Sequence, residues 1–352
     1  MELPGNTHAE MRRFHRKHGV TELMMRLNTH EVPEYYVKPV SERRIVEADE
    51  DLEQIPCINL QAPMSEDLLT AVARACTEWG FFYLINHGVP VSHLQDMQRC
   101  TREFFSLPHQ EKLKINTPAG NAGPVHFGGG GNRDWREVLR IHFAPISESD
   151  KDYWPSKPVG FRSLLEEHEN HLQRLSVNIL SIISLSLGLN EDFLIEACGE
   201  AKSSITVNHA PPSLDPSLTM GHRTHSDPNM LTIILQDDVG GLQVQKGNRW
   251  FNVRPMENSF VVNIGDQVQI LSNAKYKSCL HRVVNNNHSP RTSTAFFIAP
   301  SRNTTIGPAP VLVDENESPV YPNMVYGDYL DDFYEQAHCP DSSYPELRET
   351  EN

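Results

Sequence analysis

Between Ile205 and Ile298 the chain is cut into short apolar, β-branched and aromatic runs: Ile205–Asn208, Met230–Leu235, Leu242–Gln245, Trp250–Val253, Ser259–Ile264 and Thr294–Ile298. Each is shorter than a typical helix, and turn signals such as Val239-Gly-Gly241 and Lys246-Gly-Asn248 separate them. Such a succession cannot bury its apolar faces in one flat sheet; it fits a sandwich or barrel.

The first half follows another period. Ser65 is a candidate N-cap, and Leu68, Leu69, Val72 and Ala75 recur at helical spacing up to Gly80. A β-rich run, Phe81 to Gly88, comes next, followed by a second amphipathic helix from Val91 to Phe105 that stops before Pro108. Phe161, Leu165, His168, Leu172, Leu175, Ile179 and Ile183 mark one long helix ended by Gly188. The fold class is therefore α+β with a mainly β core and helices packed around it. Residues 1–50 read as an N-terminal arm, 51–198 as a helical region with strands completing the core, 199–310 as the core itself, and 311–352 as a closing helix with a loose polar tail after Pro340. The stretch Pro118 to Arg133, with its Gly128–Gly131 run, lacks the Lys-Ser/Thr of a phosphate loop and reads as a flexible loop able to act as a lid. Asp134–Phe143 reads as a strand with Trp135, Val138 and Leu139 as possible pocket lining.

With 31 basic against 46 acidic residues the formal net charge is −15, which disfavours nucleic acid and anionic membrane surfaces and leaves a small ligand as partner. No segment offers the roughly 18 uninterrupted apolar residues of a membrane span, and the N-terminus has no signal-type apolar region. A soluble, cytoplasmic protein is expected. Six scattered cysteines without a Cys-x-x-Cys pair read as free thiols.

Candidate chemistry centres on His225, Asp227 and His281. Residues i and i+2 of a strand share a face, so His225 and Asp227 offer an imidazole and a carboxylate to one point. Two imidazoles and a carboxylate can hold a redox metal and leave positions open; they can also bind zinc with a catalytic water, or be unrelated. Arg291 and Ser293 share a second strand face and can fork onto a carboxylate. His87, in a turn after a strand, reads as a capping histidine rather than a ligand.

From Ile55 to about Tyr329 the chain resembles the plant-type 2-oxoglutarate and Fe(II)-dependent dioxygenases of the isopenicillin N synthase-like superfamily, flavanone 3-hydroxylase and flavone synthase among them. The resemblance rests on Trp79-Gly-Phe-Phe-Tyr-Leu-Ile-Asn-His-Gly88, Asp134-Trp-Arg-Glu137, His225-Ser-Asp-Pro228, Leu235 to Val244, Val262-Asn-Ile-Gly-Asp-Gln267, Leu271-Ser-Asn273, Tyr276-Lys-Ser278, His281-Arg282 and Arg291-Thr-Ser293. It implies a double-stranded β-helix, or jelly roll, flanked by helices. It further implies Fe(II) on His225, Asp227 and His281, and 2-oxoglutarate on Arg291, Ser293 and Asn208, with ascorbate in support. Oxygen and a small-molecule substrate complete the reaction, which releases succinate and CO2. By the same resemblance Val138, Arg140, Thr206 and Phe297 line the substrate pocket.

One departure stands out. Where the family reads Asn-Tyr-Tyr-Pro, this chain has Asn208-His-Ala-Pro211, so Ala210 replaces a tyrosine that commonly contacts 2-oxoglutarate. The implied reaction is hydroxylation or desaturation of a flavonoid, such as a flavanone. Arg140 keeps open a hormone-like acid of the gibberellin or jasmonate class, and Ala210 a non-catalytic binding relative.

Overall fold

The structure is a computed structural model that describes residues 7–26, 31–43, 53–61, 63–115, 125–129, 133–143, 148–314, 316 and 318–338. Its helices are α1 (His8–Arg26), α2 (Glu66–Glu78), α3 (Val91–Phe105), α4 (His109–Leu113), α5 (Phe161–Ser186), α6 (Phe193–Glu196), α7 (Asp266–Leu271) and α8 (Tyr326–His338). The strands are β1 (Cys57–Asn59), β2 (Phe81–Ile85), β3 (Val125–Gly129), β4 (Glu137–His142), β5 (Lys202–Ala210), β6 (Met220–His225) and β7 (Leu231–Gln236). They continue as β8 (Leu242–Lys246), β9 (Arg249–Asn252), β10 (Phe260–Ile264), β11 (His281–Val284), β12 (Arg291–Ala299), β13 (Thr305–Ile306) and β14 (Met324–Val325).

One sheet has the order β1-β2-β10-β7-β12-β5-β4-β3, and a second, facing it, has β6-β11-β8-β9. From β5 to β12 the chain shuttles between the two sheets, which is the double-stranded β-helix expected. The large sheet turns Leu139, Ile205, Val207, Ile233, Leu235, Val262 and Phe296 toward α2, α3 and α5, forming the main core. Its other face packs Ile234, Val261 and Ala295 against Leu242, Val244 and Phe251 of the small sheet.

Local chemistry sets the helix ends. Ser65 accepts the Leu68 amide at 3.3 Å, and Glu66 and Asp67 sit in the first turn of α2, where the helix dipole favours acids. α5 carries Leu165, His168, Leu172, Leu175 and Ile179 on its buried stripe. A buried leucine or isoleucine there contributes about 1.5–3 kcal/mol. Gly188, in the left-handed region at φ 76°, lets the chain leave the helix.

The N-terminal residues differ from the arm expected. α1 packs Met11, Phe14, Val20 and Leu23 around Tyr35, Tyr36 and Trp135. A short helix broken by Gly19 has weak periodicity, so its apolar face shows only against its partner. Thr21 donates its amide to buried Glu137 at 3.0 Å, and Lys112 pairs with the same carboxylate at 3.3 Å. Val125–Gly129, expected as part of a mobile glycine loop, pairs antiparallel with β4. The rest of the expected lid, residues 118–124 and 130–132, and the polar tail after Pro340 lie outside the described residues. Cys57, Cys76, Cys100, Cys198 and Cys279 are free thiols. Among the described residues no helix is long and apolar enough to cross a membrane.

Candidate active site

His225 ends β6 and stands directly opposite His281, which begins β11. Opposed residues of an antiparallel pair share a face, and the two rings lie 4.1 Å apart between centroids. Asp227 is not on the strand with His225, as the i, i+2 reading had it; it lies in the following loop. Tertiary contacts aim it instead. The Asp227 carbonyl accepts the Asp266 amide at 2.8 Å. Gly265 permits that approach, since a Cβ there would stand 2.9 Å from the Asp227 carbonyl oxygen and 2.0 Å from that of Asn229.

The resulting geometry is nearly symmetrical. Nε2 of His225 and Nε2 of His281 each stand 3.8 Å from Oδ1 of Asp227. The three ligand atoms lie within 4.8 Å of one another. Nδ1 of His225 faces the Arg223 carbonyl at 2.8 Å, and Nδ1 of His281 faces the Cys279 carbonyl at 3.2 Å. Those carbonyls hold a proton on Nδ1 and leave the Nε2 lone pairs directed at one point. Oδ2 of Asp227 accepts from Thr232 at 2.6 Å and from Asn263 at 2.8 Å, leaving Oδ1 for a metal. Burial holds the His225 imidazole well below its usual range, so the ring is neutral and able to ligate. The chemistry of this donor set fits Fe(II).

Thr232 and Asn263 also show which face of the large sheet looks at the trio. Asn263, Thr232, Phe297, Ser204 and His142 form one cross-strand row. The next is Val261, Ile234, Ala295, Thr206 and Arg140, and beyond it Gln236, Ser293, Asn208 and Val138. All four expected pocket residues, Val138, Arg140, Thr206 and Phe297, are on this face. Leu139 is not: it points into the helical core. Trp135 packs with Tyr36 under α1. Neither lines a pocket as expected.

Arg291 and Ser293 share a strand face, as the alternation of β12 requires. Arg291 donates to Ser293 Oγ at 3.0 Å and to Gln236 Oε1 at 3.3 Å, while its buried Nε has no partner among the described residues. Arg291 is 5 % exposed, and desolvation lowers its pKa against the pull of Asp237. A buried cation with an unused donor fits the distal carboxylate of 2-oxoglutarate. Asn208 lies opposite Ser293; its Oδ1 accepts from Arg136.

The sequence reading passed over Thr232, Arg136, Arg223 and His222. A lone hydroxyl in the apolar run Leu231–Leu235 was the available signal for Thr232. His222 packs against His225 with tilted rings 3.7 Å apart between centroids, and nothing local to it announces that. His87 uses both ring nitrogens on the Val89 amide and the Asn258 carbonyl, as a capping histidine does.

A jelly roll that brings two histidines and a carboxylate together, with ligand atoms within 4.8 Å of one another, fits a mononuclear non-haem iron oxygenase. The sequence pattern of the 2OG-Fe(II) oxygenase superfamily matches residues 201–300, and the N-terminal pattern described for a non-haem dioxygenase in morphine synthesis matches residues 55–159. DMR6-like oxygenase 1 of Arabidopsis thaliana is 37 % identical over 316 residues, spanning 87 % of this chain and 90 % of that protein. Flavanone 3-dioxygenase 2 of Oryza sativa subsp. japonica is 35 % identical, spanning 88 % and 93 %. A crystal structure of JOX2 in complex with 2OG, Fe, and JA superposes with a TM-score of 0.78 at 36 % identity, over 88 % of this chain and 91 % of that one. The chain belongs to the 2-oxoglutarate and Fe(II)-dependent oxygenase family. It is a 2-oxoglutarate-dependent dioxygenase whose cofactors are iron and 2-oxoglutarate.

Proposed function

We propose that this dioxygenase oxidises a small carboxylic acid, held by Arg140 with Arg136 and Arg223 behind it. The observation that carries this reading is a surplus of positive charge beside the metal trio. Arg136 is desolvated, and its pKa falls to about 10 despite Asp134, with Arg140, Arg223 and Arg291 adding to the depression. Asp134 is already shared, at 3.0 Å from Lys38 and 3.6 Å from Arg136. Among the described residues neither Arg140 nor Arg223 has a carboxylate partner, and Arg140 only donates to Thr206 Oγ1 at 3.4 Å. One anion, the distal carboxylate of 2-oxoglutarate on Arg291 and Ser293, leaves this charge uncompensated. A second anion offsets it.

In this reading His225, Asp227 and His281 hold the iron, and Asn208 turns its free amide toward the cosubstrate. When bound, iron and 2-oxoglutarate supply oxidative decarboxylation to succinate and CO2, coupled to hydroxylation or desaturation of the substrate. Phe297 and Val138 supply apolar walls that position the carbon skeleton, Thr206 orients Arg140, and Arg140 fixes the acid end. A flavanone is the second reading, favoured by the likeness to flavanone 3-dioxygenases.

Succinate release separates the two. With jasmonic acid and a gibberellin offered beside naringenin, acid-dependent turnover is expected, and Arg140→Gln should raise KM for the acid at least tenfold. Naringenin turnover with indifference to every acid would return the assignment to the flavonoids.

A further inference from the structure

On the helical layer, across the large sheet from the trio, three other side chains converge. His93 lies in the first turn of α3, and Glu167 and His171 lie one turn apart on α5. The Glu167 carboxylate stands 3.7 Å from His93 Nδ1 and 3.6 Å from His171 Nε2. Neither separation is a hydrogen bond. One ligand atom from each residue lies within 4.8 Å of the other two. Tetrahedral zinc with bonds of 2.0–2.1 Å needs ligand atoms roughly 3.3 Å apart, so closure asks for movements of about an ångström. Glu167, 60 % exposed, and His171, 19 % exposed, can make them.

His93 is the fixed point, with its side chain 4 % exposed. Its Nε2 lies 3.1 Å from Nδ1 of His168, a fully buried ring whose own Nε2 has no partner among the described residues. A proton on His93 Nε2, given to His168, leaves Nδ1 as a bare lone pair facing Glu167. Metal-bound histidines keep this outer contact. One contact opposes binding: Arg174 donates to His171 Nδ1 at 3.4 Å. Metal on Nε2 makes Nδ1 a donor, and the exposed Arg174 has to swing aside.

We propose that His93, Glu167 and His171 form a second site for a divalent transition metal, zinc above all, which clamps α3 to α5 with water as the fourth ligand. The trio of the active site would also take zinc, so the test removes it first. Full-length Asp227→Ala protein, dialysed against ZnCl2 without iron, should retain one zinc per chain, and its Tm should rise by a few degrees with zinc. Adding His171→Ala or, as a near-isosteric second variant, Glu167→Gln should abolish both the bound zinc and the Tm rise, while Arg174→Ala should tighten binding. Absence of zinc from Asp227→Ala protein, or zinc that survives both added substitutions, would overturn the proposal.

Discussion

Ala210 stands directly opposite Arg291 across the β5–β12 ladder. The residue that departs from the family pattern is thus the immediate neighbour of the proposed carboxylate anchor. A tyrosine there would project a hydroxyl from the same sheet face as Arg291 and Ser293. One further hydrogen bond is worth about 0.5–1.5 kcal/mol, or roughly two- to tenfold in affinity. Ala210→Tyr should therefore lower KM for 2-oxoglutarate by that factor and leave kcat within twofold. An unchanged KM would mean that the lost tyrosine never mattered in this chain.

Thr232 governs the orientation of Asp227 through its bond to Oδ2. Thr232→Val keeps the strand's shape and burial while leaving Asn263 as the one remaining side-chain donor to that oxygen. Partners that orient a metal ligand typically carry about 10–100-fold in metal affinity. Titration of apoprotein with Fe(II) under nitrogen should show a loss in that range, with the far-UV spectrum unaltered. Undiminished affinity would show that the loop alone aims the carboxylate.

Buried histidines predict how stability follows pH. Desolvation lowers the pKa of His168 to about 3 and of His209 to about 4. The unfolded chain takes up these protons near pH 6.5, the folded chain only near 3 to 4. Their stabilisation is complete above about pH 6.5 and is lost progressively as pH falls toward the folded values. Urea midpoints should decline from pH 7 to pH 4.5, and His209→Gln should make the decline shallower. An identical slope in the variant would assign the acid sensitivity to other groups. His209 is suited to the test because it stacks on Phe105 on the face away from the metal trio.

Much of the architecture was legible in the linear chain because periodicity is local. α2, α3 and α5 and most core strands announce themselves through apolar spacing and through Ser65, Gly80, Pro108 and Gly188 at their ends. α1 was not legible, since its apolar residues gain meaning only against Tyr36 and Trp135. β3 was hidden for a related reason: glycines that favour a loop in isolation are held as a strand by β4.

The site divides in the same way. Arg291 and Ser293 follow from strand alternation alone, because both belong to one continuous element. His225 and His281 meet because β6 and β11 pair, a register that no local pattern encodes. Asp227 joins them through a loop pinned by Gly265, Asp266, Thr232 and Asn263. Residue types named the candidate ligands, and the collinear motifs, through the family they resemble, implied the class of chemistry, since ligand identity is a property of side chains. Only the tertiary structure decided which groups converge, that Arg136 lies within the electrostatic reach of Arg140, Arg223 and Arg291, and that Glu167 stands between two histidines on the opposite layer. Convergence of distant segments depends on sheet pairing and burial, which exist only once the chain is folded.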